Sequence, residues 1–296
     1  MGTMKDVSHF MNQYIRLLRT KHYIKNVLVF LPLVFSKEIS ADSLIYTSIA
    51  ALAFCLVSSS IYIINDIKDK EKDSRHSTKC QRPIASGAVS EKTAVVLSAA
   101  LALFGMAAAT WVSLHTSWGN LVCIIAYFVL NILYSIKLKE TPVVEIAILA
   151  SGFVLRTLLG GFAAQVEISN WLFLTIMAAS FYMGLGKRRN EINIQGALHT
   201  RKVLEKYNTR FLDRNMYMFL SLTIGFYSLW AVAQSSWMAW SVPLVMVTAM
   251  RYSLLVERST SDGDPVEVIC SDIPLMAMSC CYSIYVLFAL YLLPRI

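Results

Sequence analysis

The chain has 296 residues, of which 56% are hydrophobic, a mean hydropathy of +0.54 and a formal net charge of +8. That composition excludes an ordinary water-soluble domain, and apolar runs that are continuous rather than alternating exclude a membrane β-barrel. What remains is an all-α polytopic membrane protein, in which the surplus of cations describes one membrane face and not a nucleic-acid surface.

The first 25 residues carry Lys5, Arg16, Arg19, Lys21 and Lys25, and the apolar core that follows begins too late for a secretory signal. The pattern predicts a first, partly interfacial helix over about 8–35, kinked at Pro32. Further spans are predicted at about 41–64, 92–114, 118–136, 143–164, 170–186, 211–234, 238–255 and 269–293. Together they make a bundle of nine transmembrane helices, a single integral membrane domain over 1–296. With the N-terminus in the cytoplasm, every Lys and Arg except Lys37, Arg295 and the intramembrane Arg156 falls on the cytoplasmic side. The loops 65–91 and 187–210 both lie on that side, where they are expected to cap a polar cavity.

The second span runs into Asn65-Asp66-Ile67-Lys68-Asp69-Lys70-Glu71-Lys72-Asp73. If the helix continues past Ile64, spacings of three and then four residues put Asp66, Asp69 and Asp73 on one face, with Asn65 one turn before Asp69. Three clustered carboxylates repel one another unless a cation neutralises them. Oxygen donors without Cys or His favour Mg2+ or Mn2+ over zinc, and Mg2+ commonly shares its shell between carboxylates and substrate phosphates. Arg75, Lys79 and Arg82 follow at once and suit the remaining phosphate oxygens. The alternative is a solvated charged loop at the membrane surface.

A second basic run, Lys187-Arg188-Arg189-Asn190-Glu191, ends the sixth span and reads either as a phosphate site or as charges suited to a helix end and a membrane surface. Tyr134 and Lys137 close the fourth span. Arg156 lies at membrane depth, where a charge normally faces a polar cavity or a partner. Glu145, eleven residues away along the same helix, is too far to pair with it directly. The six cysteines show no metal spacing and read as small apolar residues; of the five histidines only His76, between the acids and the basic tail, has a suggestive position.

Asn65-Asp66-x-x-Asp69-x-x-x-Asp73 at the end of the second helix resembles the first acidic motif of the UbiA superfamily of intramembrane prenyltransferases. Lys25-Asn26-Val27-Leu28-Val29, Lys79-Cys80-Gln81-Arg82-Pro83-Ile84-Ala85-Ser86-Gly87, Tyr134-Ser135-x-x-Leu138-Lys139, Gly186-Lys187-Arg188, and Arg251-Tyr252 with Gly263-Asp264-Pro265 resemble the branch that includes decaprenyl-phosphate phosphoribosyltransferase. The aromatic prenyltransferases of the superfamily are expected to carry a second Asp-rich motif after the sixth helix. Here that place holds Lys187, Arg188, Arg189 and a single Glu191.

The resemblance implies Mg2+-dependent transfer of 5-phosphoribose from phosphoribosyl pyrophosphate to a polyprenyl phosphate at a bacterial-type cell membrane. Asp66, Asp69 and Asp73, with Asn65 as a neutral donor, would hold the metal. Lys187 and Arg188 would steer the acceptor phosphate, and Lys25, Tyr134, Lys137 and Arg156 are candidates for the ribose 5-phosphate or the acceptor phosphate. An aromatic prenyltransferase using a prenyl diphosphate is the nearest alternative; a transporter of a phosphorylated solute is the second, and it gives no reason for the acidic spacing.

Overall fold

The computed structural model describes residues 12–75, 79–193, 202–257 and 265–293. Lys5, His76, Arg258, Gly263, Asp264 and Arg295 lie outside the described residues. Everything regular among the described residues is helical, and seven helices are long and apolar enough to cross a membrane: Ala41–Lys68, Glu91–His115, Gly119–Ile136, Val144–Ala164, Thr209–Gln234, Ser236–Val256 and Ile273–Tyr291.

Three expected spans differ in detail. The first is divided into a helix over 12–18, a 3-10 stretch Thr20–Phe30 and a short helix Leu31–Ser36. The break falls at Arg19, whose backbone is left-handed (φ 52°, ψ 46°), and not at Pro32, which sits in the opening turn of a helix where its missing N–H costs nothing. The sixth does not stop at residue 186; Asn170–Asn193 carries Lys187, Arg188, Arg189 and Glu191 on the helix itself and not in a loop. The last is split by Asp272 into Pro265–Ser271 and Ile273–Tyr291, because Asp272 caps the second piece by accepting from the Leu275 N–H at 2.8 Å, with Pro274 in the first turn.

The chain forms two compact units. One comprises the described residues through Leu31, Ser40–Ser135 and Leu158–Gln165; the other comprises Pro32–Ile39, Ile136–Thr157 and the described residues from Val166 onward. In the first, helix 41–68 starts at a reciprocal cap between Ser40 and Ser43, each hydroxyl accepting from the other's backbone N–H at 3.0 Å. That helix pairs with 91–115, and the buried Ser60 and Ser98 hydroxyls bond across the pair at 2.9 Å. The 3-10 stretch lies so close to 158–165 that a Cβ at Gly160 would stand 1.8 Å from the Val29 carbonyl oxygen, so only glycine fits there. The second unit is built on helices 170–193 and 209–234 around a core that includes Ile146, Leu185, Leu212, Met216 and Val256.

Candidate active site

Three segments of the first unit carry charged groups to one place, and an apolar cluster holds those segments together. Leu17 precedes Arg19, Ile63 lies one turn before Asp66, and Ile84 follows Arg82; all three are buried and pack with Val89 and Ala94. Helix 41–68 continues past Ile64 to Lys68 and, after Asp69 (φ −92°, ψ 5°), resumes as Lys70–Ser74. The helical hydrogen bonds Asp69 N to Asn65 O (2.9 Å) and Asp73 N to Asp69 O (2.8 Å) run through that junction. The one-face geometry expected from the spacing therefore survives.

Asp66 and Asp73 are buried, with side chains 3% and 6% exposed. Arg82 Nη1 donates to Asp66 Oδ1 at 3.0 Å and to Asp73 Oδ2 at 2.6 Å, so the two carboxylates share one cation position. Arg19 Nη2 donates to the same Asp66 oxygen at 2.5 Å, and its guanidinium lies 4.9 Å from the Tyr62 ring centroid. Arg82 stands on a tight loop closed by hydrogen bonds from Ser86 N to Arg82 O (2.8 Å) and from Val89 N to Pro83 O (2.9 Å). The turn passes through Gly87 at φ +78°, where a side chain would be strained. Arg16 donates to the Gln81 carbonyl at 3.1 Å, and Lys70 pairs with Glu91 at 2.5 Å, fixing the loop at both ends.

Asn65 is used otherwise. Its Oδ1 accepts from the Ser135 hydroxyl, while Lys68 Nζ donates to the Ser135 carbonyl at 2.6 Å, tying helix 41–68 to the end of 119–136. Asp69 is half-buried at the helix junction; Arg75 and Lys79 are exposed beside it in sequence. Among the described residues no three His, Cys, Asp or Glu side chains converge as a metal-holding group. Of the expected set Asn65, Asp66, Asp69 and Asp73, Asn65 is bonded by Ser135, and Asp66 and Asp73 are paired with Arg19 and Arg82. The donor chemistry still fits a hard divalent cation at two positions, Asp66 and Asp73, whose carboxylates converge on one positive centre. Lys25 and Tyr134 are half-buried and Lys137 is exposed.

In the second unit the basic run is largely committed to ion pairs. Arg188 is fully buried; its Nε donates to both Glu145 oxygens (2.7 and 2.8 Å), its Nη2 to Glu145 Oε2 (2.5 Å) and its Nη1 to Glu191 Oε2 (2.6 Å). Tyr207 completes the group, accepting from the Val143 N–H at 2.7 Å and donating to Glu145 at 3.4 Å. Burial pushes its phenol up to about 12, so it remains a donor at any physiological pH. Arg189 pairs with Asp213 at 3.2 Å and donates to the Glu257 carbonyl at 3.0 Å. Arg156 is 5% exposed, donates to the Gly152 carbonyl at 2.7 Å and lies 5.7 Å from the Phe153 ring. Lys187 is half-buried on helix 170–193, beside Arg188.

Sequence reasoning did not assign Arg19, Ser135, Glu145 or Tyr207 to the site. An acid in the first turn of an apolar helix was a visible signal for Glu145, but its partner Arg188 lies 43 residues away. Nothing in the local pattern distinguished Arg19 from the other N-terminal cations.

An all-helical chain with seven candidate membrane spans among the described residues, one of them ending in buried carboxylates paired with arginines, is of the integral membrane class. The sequence profile of the UbiA prenyltransferase family matches residues 27–279, and the chain belongs to that family. It is 33% identical over 292 residues to decaprenyl-phosphate phosphoribosyltransferase of Corynebacterium glutamicum, covering 95% of this chain and 87% of that one. To the protein of the same name from Mycolicibacterium smegmatis it is 32% identical over 279 residues, covering 87% and 86%. Its fold is similar to that of a UbiA homolog from Archaeoglobus fulgidus solved with GPP and Mg2+, with a TM-score of 0.73 at 16% identity over 94% of this chain and 99% of that one.

Proposed function

We propose that the protein transfers 5-phosphoribose from phosphoribosyl pyrophosphate to a decaprenyl-like polyprenyl phosphate, releasing pyrophosphate. The observation that carries this reading is the likeness, over nearly the whole chain, to relatives named for that reaction. The geometry agrees at one point: Asp66 and Asp73 converge on a single cation position with arginines beside them.

Asp66 and Asp73, joined by Asp69 and Asn65, would hold Mg2+, with Mn2+ as a substitute; the metal supplies charge neutralisation for the departing diphosphate. Arg75, Lys79 and Arg82 donate to its phosphate oxygens. The acceptor is already an anion, so no general base is needed as the anomeric carbon acquires oxocarbenium character. Lys187 steers the acceptor phosphate. Arg188, bound on all sides by carboxylates, is a positioning residue that fixes the helix bearing Lys187, and Lys25, Tyr134, Lys137 and Arg156 are the candidates for the ribose 5-phosphate or acceptor phosphate. The 12–36 region and helix 170–193 complete nine spans in one integral membrane domain, with the N-terminus, the acidic motif with the loop after it, and the C-terminal end of helix 170–193 on the cytoplasmic side of a bacterial-type inner membrane.

The test is turnover by purified protein in detergent with labelled phosphoribosyl pyrophosphate and a polyprenyl phosphate. An acid-labile labelled lipid that disappears with EDTA and with Asp66→Asn supports the proposal. Product formed only from a labelled prenyl diphosphate and an aromatic acid overturns it.

A further inference from the structure

We infer that Arg82 is a resident counter-ion which the metal must displace, and which then takes hold of the donor's diphosphate. The inference rests on the metal and phosphate reading of the site given above, and it assigns to one side chain two successive partners.

Two carboxylates whose side chains are 3% and 6% exposed cannot remain charged beside each other without a cation, since an uncompensated buried charge is destabilising. Arg82 supplies that cation through a single nitrogen, Nη1, at 3.0 Å from Asp66 and 2.6 Å from Asp73. A divalent cation held by Asp66 and Asp73 would compete with Arg82 for the same two carboxylates, and it would repel the guanidinium there.

The two arginines at the site are not equivalent. Arg19 has a left-handed backbone and stacks on the Tyr62 ring, and among the described residues its carboxylate partner is Asp66. Arg82 stands on the loop between helices 70–74 and 91–115, is 30% exposed, and is the one that bridges both acids. Arg82 is therefore the replaceable cation and Arg19 the permanent one. A displaced guanidinium still presents several donors in a planar fork matched to phosphate oxygens. Arg82, on giving up its two ion pairs to a metal held by Asp66 and Asp73, would become free to bind diphosphate, so metal and diphosphate binding would favour each other through reciprocal coupling.

The experiment measures binding to the full-length protein in detergent, with no turnover. Free Mn2+ is followed by electron paramagnetic resonance without any phosphate ligand; labelled inorganic pyrophosphate is then followed by equilibrium dialysis at saturating Mn2+. Arg82→Ala is expected to bind Mn2+ about tenfold more tightly than the native protein and pyrophosphate about tenfold more weakly, a change of roughly 1.4 kcal/mol in each case. A merely structural role weakens both together. Where Arg82→Ala does not fold, Arg82→Gln carries the same comparison with a neutral side chain of related length. Mn2+ binding that is no tighter in these variants, yet is abolished by Asp66→Asn with Asp73→Asn, sinks the displacement and leaves the metal reading standing. Mn2+ binding indifferent to the two Asn substitutions sinks both.

Discussion

Glu145 is the buried carboxylate on which two groups of the second unit converge: Arg188 reaches it through three hydrogen bonds and Tyr207 through a fourth. Glu145→Gln leaves a fully buried guanidinium short of its counter-charge, a change of the kind that costs about 3–5 kcal/mol. The expected result is a large fall in thermal unfolding temperature in detergent, which an unchanged melting curve would contradict. Under the proposed mechanism Asp66→Asn and Asp73→Asn remove a charge from the metal site, and each is expected to lower turnover by about a hundredfold or more, as loss of a preorganised charge does. Measured rates within a few fold of native would remove these carboxylates from the mechanism. At this scale the acids were legible, because their spacing alone puts them on one face. Arg188 was legible as a cation but not in its environment: a run of three positive charges looks the same whether its members face a phosphate or a buried glutamate 43 residues away.

At the scale of the element, apolar length located the spans, and the ends were less legible. The cap at Ser40 is worth about 1 kcal/mol, the usual loss on replacing such a cap by alanine; Ser40→Ala should lower the unfolding midpoint modestly without altering pyrophosphate binding. Gly160→Ala should do far more, because the new methyl would meet the Val29 carbonyl at 1.8 Å and force the 3-10 stretch away from residues 158–165. Equal stability of these two variants would show that the close approach is not needed. The first span defeated the sequence reading for a definable reason: proline is a visible breaker, whereas the real break at Arg19 is a backbone conformation with no composition signal. The sixth span was cut short because charge was read as the end of the helix, although Arg188 and Arg189 are paired and so tolerated within it.

For the molecule as a whole, the Lys and Arg distribution predicts an N-terminus and acidic motif in the cytoplasm. In a background freed of its six cysteines, Lys70→Cys should be shielded from an impermeant thiol reagent in intact cells, and Trp118→Cys, at a residue 60% exposed, should react. The reverse pattern would invert the proposed topology. Composition and span pattern made the membrane class legible, and the motif resemblance, carried by the acidic stretch and the motifs around it, made the family legible over most of the chain. The way its ionic groups are apportioned was not, since ion pairs between distant segments depend on packing that no local pattern encodes.

The account stands most directly on the identity of the donor. Phosphoribosyl pyrophosphate and a labelled prenyl diphosphate, offered together with polyprenyl phosphate, an aromatic acid and Mg2+ in one vessel, compete for the same enzyme. Mass spectrometry of the lipid fraction should find the polyprenyl phosphate enlarged by one phosphoribosyl group, with pyrophosphate released in equal amount. A prenylated aromatic acid, with the polyprenyl phosphate unchanged, would contradict the account.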